Sequence, residues 1–226
     1  MTMPEQLVFD LGRRVAMGRS DFIASNCNAL ALLQVEDWRN WPEGKLVLSG
    51  PKGAGKTHLA HVFASLTGAE VVAGADLTAG SLPLDAPALV IEDLDQLPPD
   101  SAAVAEEQAF HLHNALRQRR APLLLTGRTP PSRWPLRLPD LASRLMAATV
   151  ARIEAPDDRL LAAVMRKQFR DRQVNVPEDA LDYLVLQIER SFAAAEEMVA
   201  RLDAAALRDG RDVTKRFAAE FLRKSA

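Results

Sequence analysis

A glycine-rich segment carries the clearest chemistry of the sequence. It fits the phosphate-binding pattern G-x-x-x-x-G-K-[ST] at every position. Glycines let backbone N–H groups converge on phosphate oxygens, and a helix that starts here adds its partial positive charge. We predict that Lys56 reaches the outer phosphates of a nucleotide and that the Thr57 hydroxyl lies on Mg²⁺. The predicted nucleotide-binding residues of this loop are Gly50, Pro51, Lys52, Gly53, Ala54, Gly55, Lys56 and Thr57.

A hydrophobic run that ends in acids is the second chemical signal. Residues 88–91 are Ala-Leu-Val-Ile and lead directly into Glu92 and Asp93. In P-loop folds a carboxylate near this point serves Mg²⁺. We therefore predict that Glu92 serves the metal through water and that Asp93 orients the attacking water. Asp95 is interpreted as a surface or helix-start acid, and a solvated acidic loop is the alternative for the whole segment.

The elements that must position these residues alternate between strand and helix. Continuous apolar runs predict buried strands at 88–92 and 122–126, a short strand is predicted at 45–49, and a last strand is predicted at 149–153. Helical spacing of apolar residues predicts helices at 57–66, 101–120 and 138–146. This alternation is typical of an α/β fold with a parallel sheet covered by helices on both faces.

The pattern changes after residue 155, where only helices are predicted. They begin near residues 157, 177, 193 and 214. We therefore expect three parts: an N-terminal arm at 1–20, a P-loop α/β domain at 21–155 and a small helical domain at 156–226.

The composition excludes several classes of function. The chain has 226 residues, of which 48% are hydrophobic and 26% charged, as in globular proteins. A net charge of −2 and 5% aromatic residues give neither a basic footprint nor a stacking platform for nucleic acid. The single cysteine, Cys27, excludes an internal disulfide and a zinc site of several cysteines. We find no signal peptide or membrane-spanning run and expect a cytoplasmic protein.

The motifs together resemble the DnaA/Hda family of AAA+ ATPases over about residues 6 to 222. Residues 21–26 are similar to the family's adenine-side segment, and 124–131 to its sensor 1 strand and turn. Residues 141–145 are similar to the arginine-finger segment, and 176–181 to the start of the second lid helix. The resemblance implies an AAA+ fold with a helical lid, and ADP or ATP with Mg²⁺ as cofactor. It adds to the nucleotide-binding residues Phe22, Ile23 and His58.

The resemblance also implies partners. Arg144 matches the arginine finger, which acts on nucleotide held by a neighbouring subunit, here ATP on DnaA. The segment Gln6-Leu7-Val8-Phe9-Asp10-Leu11 is similar to a peptide that binds the β sliding clamp of DNA polymerase III. Gln6 would supply hydrogen bonds, and the groove would take the side chains of Leu7, Phe9 and Leu11. The alternative is an edge strand of the protein's own sheet.

The family's initiators carry a DNA-binding domain after the lid, and no such domain would fit after residue 226. The resemblance is therefore to the short regulators, which promote hydrolysis of DnaA-bound ATP and restrain replication initiation near the replisome and nucleoid. No sequence-specific DNA binding is expected, and homo-oligomers are compatible with the resemblance. The alternatives are an ATPase similar to helicase loaders and a nucleotide-bound scaffold.

One departure from the family limits the expected enzyme activity. Ala194 occupies the position where the family has the sensor 2 arginine, which reaches the nucleotide phosphates. Arg190 lies about one helical turn earlier, and Arg128 follows the sensor 1 strand; either is a candidate replacement. Losing a charge-stabilising arginine weakens hydrolysis strongly. We therefore expect bound nucleotide, ADP more than ATP, and weak or no intrinsic ATPase activity.

Overall fold

A five-stranded sheet forms the centre of the structure, a computed structural model that describes residues 18–78 and 82–225. The strands are β1 (Lys45–Ser49), β2 (Glu70–Ala73), β3 (Leu89–Glu92), β4 (Leu123–Gly127) and β5 (Thr149–Arg152). Their order is β2-β3-β4-β1-β5, and every neighbouring pair is parallel. All carboxyl ends therefore meet at one edge of the sheet.

Helices cover the sheet and continue beyond it. The α-helices of the described residues are α1 (Ala29–Glu36), α2 (Lys56–Thr67), α3 (Ala102–Arg119), α4 (Pro139–Met146), α5 (Asp158–Asp171), α6 (Glu178–Val185), α7 (Phe192–Asp209) and α8 (Lys215–Ser225). Within the described residues, none of the helices is long and apolar enough to cross a bilayer.

The alternation of strand side chains builds a three-layer sandwich. Leu46 and Leu48 of β1 point to the face covered by α1 and α2, where they pack with Phe63. Val47, between them, points to the opposite face and packs with residues of α3 and α4 such as Leu112 and Leu141. Successive strand residues face opposite sides, so a strand buried on both faces is apolar throughout. This explains the continuous apolar runs in the sequence.

The last four helices bury a hydrophobic cluster of their own. Met165 and Phe169 of α5 pack with Leu184 of α6, Leu202 of α7 and Phe217 of α8. A fully buried side chain of this size contributes about 1.5–3 kcal/mol. The cluster explains why the sequence after residue 155 shows only helical periodicity.

Side-chain caps fix where three of these helices begin. Asp157 accepts a hydrogen bond from the Leu160 N–H at 2.7 Å, at the start of α5. Ser191 caps α7 through the Ala194 N–H, and the Thr214 hydroxyl accepts from the Phe217 N–H at the start of α8. Each cap satisfies a backbone donor that the helix leaves free.

The predicted strands and helices are confirmed to within about two residues, but two elements were missed. The edge strand β2 pairs only with β3 and its side chains are exposed or half-buried, so it lacks a continuous apolar run. Helix α1 carries exposed leucines, Leu30 and Leu33, beside buried ones, and so shows no clear apolar stripe. Both elements depend on neighbours that are distant in sequence.

The order of strands sets where a ligand can bind. From β1 the chain leaves to the far edge strand β2, returns through β3 and β4, and then passes to β5 on the other side of β1. The two neighbours of β1 are β4 and β5, and the chain reaches them through connections that run in opposite directions. Such a point opens a crevice at the carboxyl end of β1. The glycine-rich loop begins there.

The contact between Gly127 and Trp134 gives a test of packing. A Cβ at Gly127 would lie 2.6 Å from Cζ2 of the Trp134 indole, which is buried and donates to the Thr129 carbonyl at 2.6 Å. We expect Gly127→Ala to destabilise the protein by about 1–3 kcal/mol through overpacking. Urea unfolding would measure this difference.

The control for this substitution is Gly18→Ala. A Cβ at Gly18 would meet nothing closer than 3.5 Å, and the residue has a φ of −75°. Its unfolding free energy should stay within about 0.5 kcal/mol of the unmodified protein. Equal stability of the two variants would contradict the packing account.

Candidate nucleotide-binding site

The loop between β1 and α2 is shaped by glycines. Gly53 and Gly55 have φ values of +74° and +97°, in the left-handed region that side chains disfavour. Gly50 has no such torsion, but a Cβ there would collide with the carbonyl oxygen of Ile153 after β5. The two glycines of the motif and Gly53 between them are thus required by backbone torsion or by close approach. This leaves backbone N–H groups uncovered at the N-terminus of α2, which suits phosphate.

Lys56 lies at the base of this loop. The residue is buried, and its Nζ donates to the carbonyl oxygens of Gly50 at 2.8 Å and Pro51 at 3.0 Å. Burial lowers the pKa of Lys56, and the nearby charges of Asp93 and Asp95 oppose this shift. An ammonium group has three N–H donors, so one remains beyond the two loop carbonyls. The position suits contact with a phosphate held in the loop.

The acids predicted at the end of β3 lie at the same edge of the sheet. Asp93 is exposed, with a φ of +50°, and its N–H donates to the Thr126 hydroxyl of β4 at 3.0 Å. This hydrogen bond fixes the backbone where the chain leaves β3. The Asp93 side chain remains available to solvent, as a residue that orients water must be.

The residues predicted around Mg²⁺ are Thr57 and Glu92. Thr57 is exposed at the start of α2, and the buried Oε1 of Glu92 has no hydrogen-bond partner among the described residues. A buried carboxylate oxygen without a donor is costly unless a cation or water completes it. No group of three or more His, Cys, Asp or Glu that could hold a metal occurs in 18–78 and 82–225. The donors therefore fit Mg²⁺ that keeps waters and phosphates as ligands.

The interpretation of Asp95 as a surface or helix-start acid is wrong. Asp95 is buried, and its Oδ2 accepts hydrogen bonds from the N–H groups of Arg128 at 2.7 Å and Thr129 at 3.3 Å. It joins the end of β3 to the turn after β4. Sequence spacing could not show this, because the donors lie more than thirty residues away.

The start of α7 packs directly on the phosphate loop. The Phe192 N–H donates to the Gly53 carbonyl at 2.9 Å. A Cβ at Gly53 would lie 2.6 Å from Cβ of Ser191, and one at Gly55 would lie 3.1 Å from the Phe192 ring. The first turn of α7, which contains Ala194, therefore lies beside the loop. The sequence analysis did not identify Ser191 and Phe192 as neighbours of the loop.

Arg190 is directed elsewhere. Its guanidinium pairs with Asp158 at the start of α5 at 3.1 Å, and both side chains are largely exposed. The methyl group of Ala194 offers no hydrogen-bond donor. Neither of these two positions therefore presents a free arginine to the loop.

The predicted adenine-side residues form one cluster next to the loop. Phe22 is buried, and its ring meets the His58 imidazole edge-on with centroids 5.1 Å apart. His58 Nε2 lies 3.2 Å from the Gly18 carbonyl, and burial lowers the pKa of His58. The imidazole is therefore mainly neutral at neutral pH.

Asn28, which the sequence analysis missed, holds the backbone of this cluster. It is buried, donates to the Ile23 carbonyl at 3.1 Å and accepts from the Ser25 N–H at 2.8 Å. An Asn directly before the apolar residues of α1 is a recognisable helix-start signal. The Glu154 N–H donates to the Cys27 carbonyl at 3.0 Å. This hydrogen bond joins the segment before α1 to the end of β5.

An ion pair connects this segment to the last four helices. Lys167 of α5 donates to Oδ1 of Asp21 at 2.5 Å. The hydrogen bond from Lys167 is the main cause that lowers the pKa of Asp21. Together with the contact between Phe192 and Gly53, it places α5 and α7 against the candidate site from two sides.

Arg144 lies at the opposite edge of the sheet from the phosphate loop. Lys45, the first residue of β1, donates to the Arg144 carbonyl at 3.4 Å, whereas the loop follows the last residue of β1. A five-residue strand separates these points by roughly 13–16 Å. Arg144 is thus not part of the site formed by its own loop.

The guanidinium of Arg144 lies on an aromatic ring and forms no ion pair within the described residues. Its Cζ lies 5.2 Å from the centroid of the Phe110 ring, and it forms no ion pair within the part of the chain that the structure describes. The nearby Lys45 pairs with Glu43 at 2.8 Å. Burial lowers the pKa of the neighbouring His113, so that imidazole is mainly neutral. The positive charge of Arg144 therefore remains available to an anion from outside.

The structure thus brings together the glycine-rich loop, Glu92, Asp93 and the cluster around Phe22, Ile23 and His58. It separates Arg144 from them. The predicted clamp-binding residues Gln6, Leu7, Phe9 and Leu11 lie outside the described residues.

The fold and the phosphate loop define a P-loop protein with the α/β architecture of AAA+ domains. The curated chromosomal replication initiator protein DnaA of Enterococcus faecalis is 30% identical over 136 residues, which are 60% of this chain and 30% of that protein. The chain thus spans about a third of the length of this curated relative. No family model matches the chain.

Solved structures show the same fold. Domain III of the Thermotoga maritima replication initiation protein DnaA superposes with a TM-score of 0.77 at 16% identity, covering 92% of this chain and 96% of the domain. AMPPCP-bound DnaA from Aquifex aeolicus superposes with a TM-score of 0.67 at 16% identity, covering 80% of this chain and 63% of that one. The chain is therefore similar to the AAA+ domain of DnaA, and a relative of that fold binds a nucleotide analogue.

Replacing Lys56 tests the phosphate loop. We expect Lys56→Ala to weaken binding of Mg²⁺-ADP roughly 10- to 100-fold, because a hydrogen bond from a charged donor contributes about 1.5–3 kcal/mol. Isothermal titration calorimetry would measure the affinity, and Lys215→Ala, an exposed lysine of α8, is the control. Unchanged affinity in Lys56→Ala would contradict the assignment of the loop.

Proposed function

We propose that this chain is an Hda-like regulator, a DnaA-related AAA+ protein that promotes hydrolysis of ATP bound to DnaA and so restrains replication initiation. It binds ADP in its own site and acts on its partner through Arg144. The observation that carries this proposal is the unneutralised guanidinium of Arg144, held at the edge of the sheet away from its own phosphate loop.

The position of Arg144 suits action on a second molecule. An arginine finger stabilises the negative charge that develops on the transferred phosphoryl group, and it can be supplied in trans. Arg144 is separated from its own loop by the length of β1. Its charge also lacks a carboxylate partner within the described residues, so it can meet a phosphate without first breaking an ion pair. The similarity to DnaA suggests the partner.

The chain's own site is proposed to bind nucleotide more readily than it hydrolyses it. The loop, Lys56, Thr57 and Glu92 supply what binding needs: phosphate contacts and donors that fit Mg²⁺. When bound, Mg²⁺ neutralises charge on the phosphates. Asp93 orients a water, but Ala194 supplies no charge toward the phosphates. We therefore propose weak or no intrinsic ATPase activity.

Helices α5–α8 are proposed to act as a lid over this site. Two contacts support this role: Lys167 with Asp21 on the adenine side, and the Phe192 N–H with the Gly53 carbonyl on the phosphate side. A nucleotide bound between them would contact both parts of the chain. The boundary at residues 155 and 156 follows from the same assignment.

The N-terminal arm is proposed to bind the β sliding clamp. The support is the sequence of residues 6–11, in which a glutamine precedes alternating apolar side chains that an extended groove could accept. Clamp binding would hold the regulator on DNA through the clamp.

The finger role is tested by phosphate release from ATP-loaded DnaA, with clamp on DNA and with or without this protein. We expect stimulation by the unmodified chain and a loss of roughly a thousandfold or more in Arg144→Ala, down to the rate of DnaA alone. Arg39→Ala is a matched control, because Arg39 also lies over an aromatic ring, 4.3 Å from the centroid of Trp38.

Undiminished stimulation by Arg144→Ala would exclude the finger role. No stimulation by the unmodified chain, with nucleotide still bound, would instead favour a scaffold or a different AAA+ partner. Appreciable hydrolysis by the chain alone would favour the loader-like ATPase.

The clamp proposal is tested by a pull-down with immobilised clamp. Changing Gln6 and Leu7 together to Ala should abolish capture while leaving the melting temperature unchanged, because the substitutions remove a hydrogen-bonding and an apolar anchor. The control changes Arg13 and Arg14 to Ala in the same arm. Persistent capture of the Gln6 and Leu7 variant would show that the arm does not bind the clamp.

A further inference from the structure

Two of the lysines that the structure describes are buried, one at each end of the segment that runs from β1 through the phosphate loop. Lys56, 7% exposed, lies at the base of the loop. Lys45, 4% exposed, is the first residue of β1. A lysine is almost never fully buried unless its charge is paired. The nucleotide-binding site accounts for Lys56 and leaves Lys45 without a role.

The ammonium group of Lys45 joins two other segments of the chain. Its Nζ donates to the Arg144 carbonyl of α4 at 3.4 Å and pairs with Glu43 at 2.8 Å. Glu43 lies in the turn before β1 and has a φ of +51°. The hydrogen bond from Lys45 is the main cause that lowers the pKa of Glu43. Lys45 therefore connects the start of the central strand to the last turn of α4.

The Arg144 carbonyl is one of the acceptors that a helix leaves free at its carboxyl end. A continued α-helix would pair it with the N–H of residue 148. The Ala148 N–H donates to the Leu145 carbonyl instead, at 3.1 Å. Lys45 thus satisfies an orphan carbonyl and places a cation where the helix dipole favours one.

The Arg144 side chain starts from this anchored backbone. Its guanidinium lies over the Phe110 ring of α3, with Cζ 5.2 Å from the ring centroid. Burial lowers the pKa of His113 on the same helix, and the charges of Lys45 and Arg144 add to this shift. The two cations therefore lie near the same part of α3. A displacement of the last turn of α4 would move the guanidinium with it.

We propose that Lys45 is a positioning residue for Arg144: its buried ammonium group fixes the last turn of α4 against β1 and so sets where the guanidinium meets the partner's nucleotide. This inference rests on the proposed function of Arg144. A small misplacement of a group that must meet the reacting atoms is costly in rate. Replacing a buried ion pair by apolar side chains is often neutral or stabilising, so stability alone does not explain a lysine at this position.

Phosphate release from ATP-loaded DnaA, with clamp on DNA and over a range of concentrations of this protein, tests the role. We expect Lys45→Met to lower the maximal stimulated rate roughly 10- to 100-fold and to leave the half-maximal concentration unchanged. Methionine fills a similar volume, and Glu43 is about half exposed, so the variant leaves no buried charge unpaired and should fold. A merely structural role would reduce the fraction of active protein, which raises the half-maximal concentration and leaves the maximal rate unchanged.

Glu43→Gln is the matched control. The glutamine amide oxygen can still accept from Lys45, and the hydrogen bond to the Arg144 carbonyl remains, so both parameters should be unchanged. Calorimetry should give Lys45→Met an unchanged affinity for Mg²⁺-ADP, because the phosphate loop follows the other end of β1. Full stimulation by Lys45→Met, an equal loss in Glu43→Gln, or a raised half-maximal concentration at full maximal rate would overturn the positioning role.

Failure of the proposed function gives a different result. If the unmodified chain does not stimulate DnaA, or if Arg144→Ala stimulates as strongly, the finger role is wrong and the inference falls with it. Stimulation that depends on Arg144 but not on Lys45 overturns the inference alone.

Discussion

The close approach of the phosphate loop to its neighbours is the constraint on which the site depends. A Cβ would collide with Ile153 at Gly50, and at Gly53 and Gly55 it would meet the first residues of α7. The loop must therefore have residues without a side chain at these three positions. The same lack of side chains that exposes N–H groups to phosphate lets β5 and α7 pack against the loop. A loop shape that suits phosphate and the attachment of the last helices thus share one structural cause.

Buried polar contacts extend this arrangement along the carboxyl edge of the sheet. Thr126 accepts from the backbone of Asp93, and Asp95 accepts from the backbone of Arg128. These bonds cross between β3 and β4, so the acidic end of one strand and the arginine after the other keep a fixed relation. Buried hydrogen bonds to a carboxylate are strong and orient their donors. The acidic residues after β3 and the arginine after β4 are therefore held close together at this edge of the sheet.

Two arginines, Arg128 and Arg144, form no ion pair within residues 18–78 and 82–225 and lie at opposite ends of the central strands. Arg128 follows β4 at the carboxyl end of the sheet, whereas Arg144 lies beside the start of β1 and its guanidinium lies over the Phe110 ring. Holding a cation on an aromatic face restricts its motion and preserves its charge. The two arginines are thus separated by about the length of strand β1.

The sequence by itself determined the elements with local patterns: the glycine-rich loop, the strands β1, β3, β4 and β5, and the amphipathic helices after residue 155. These follow from torsion, alternation and helical spacing, which act between near neighbours. The resemblance to a known family then indicated the adenine-side segment and Arg144. Edge strand β2 and helix α1 escaped prediction because their burial depends on partners far along the chain.

Only the tertiary structure decided what the polar residues contact. Asp95 reads as a surface acid, yet it is buried because β3 and β4 end side by side. Arg190 pairs with Asp158 because α5 and α7 pack together. Hydrogen bonds and ion pairs join groups separated by tens of residues, and no local pattern encodes which donor meets which acceptor.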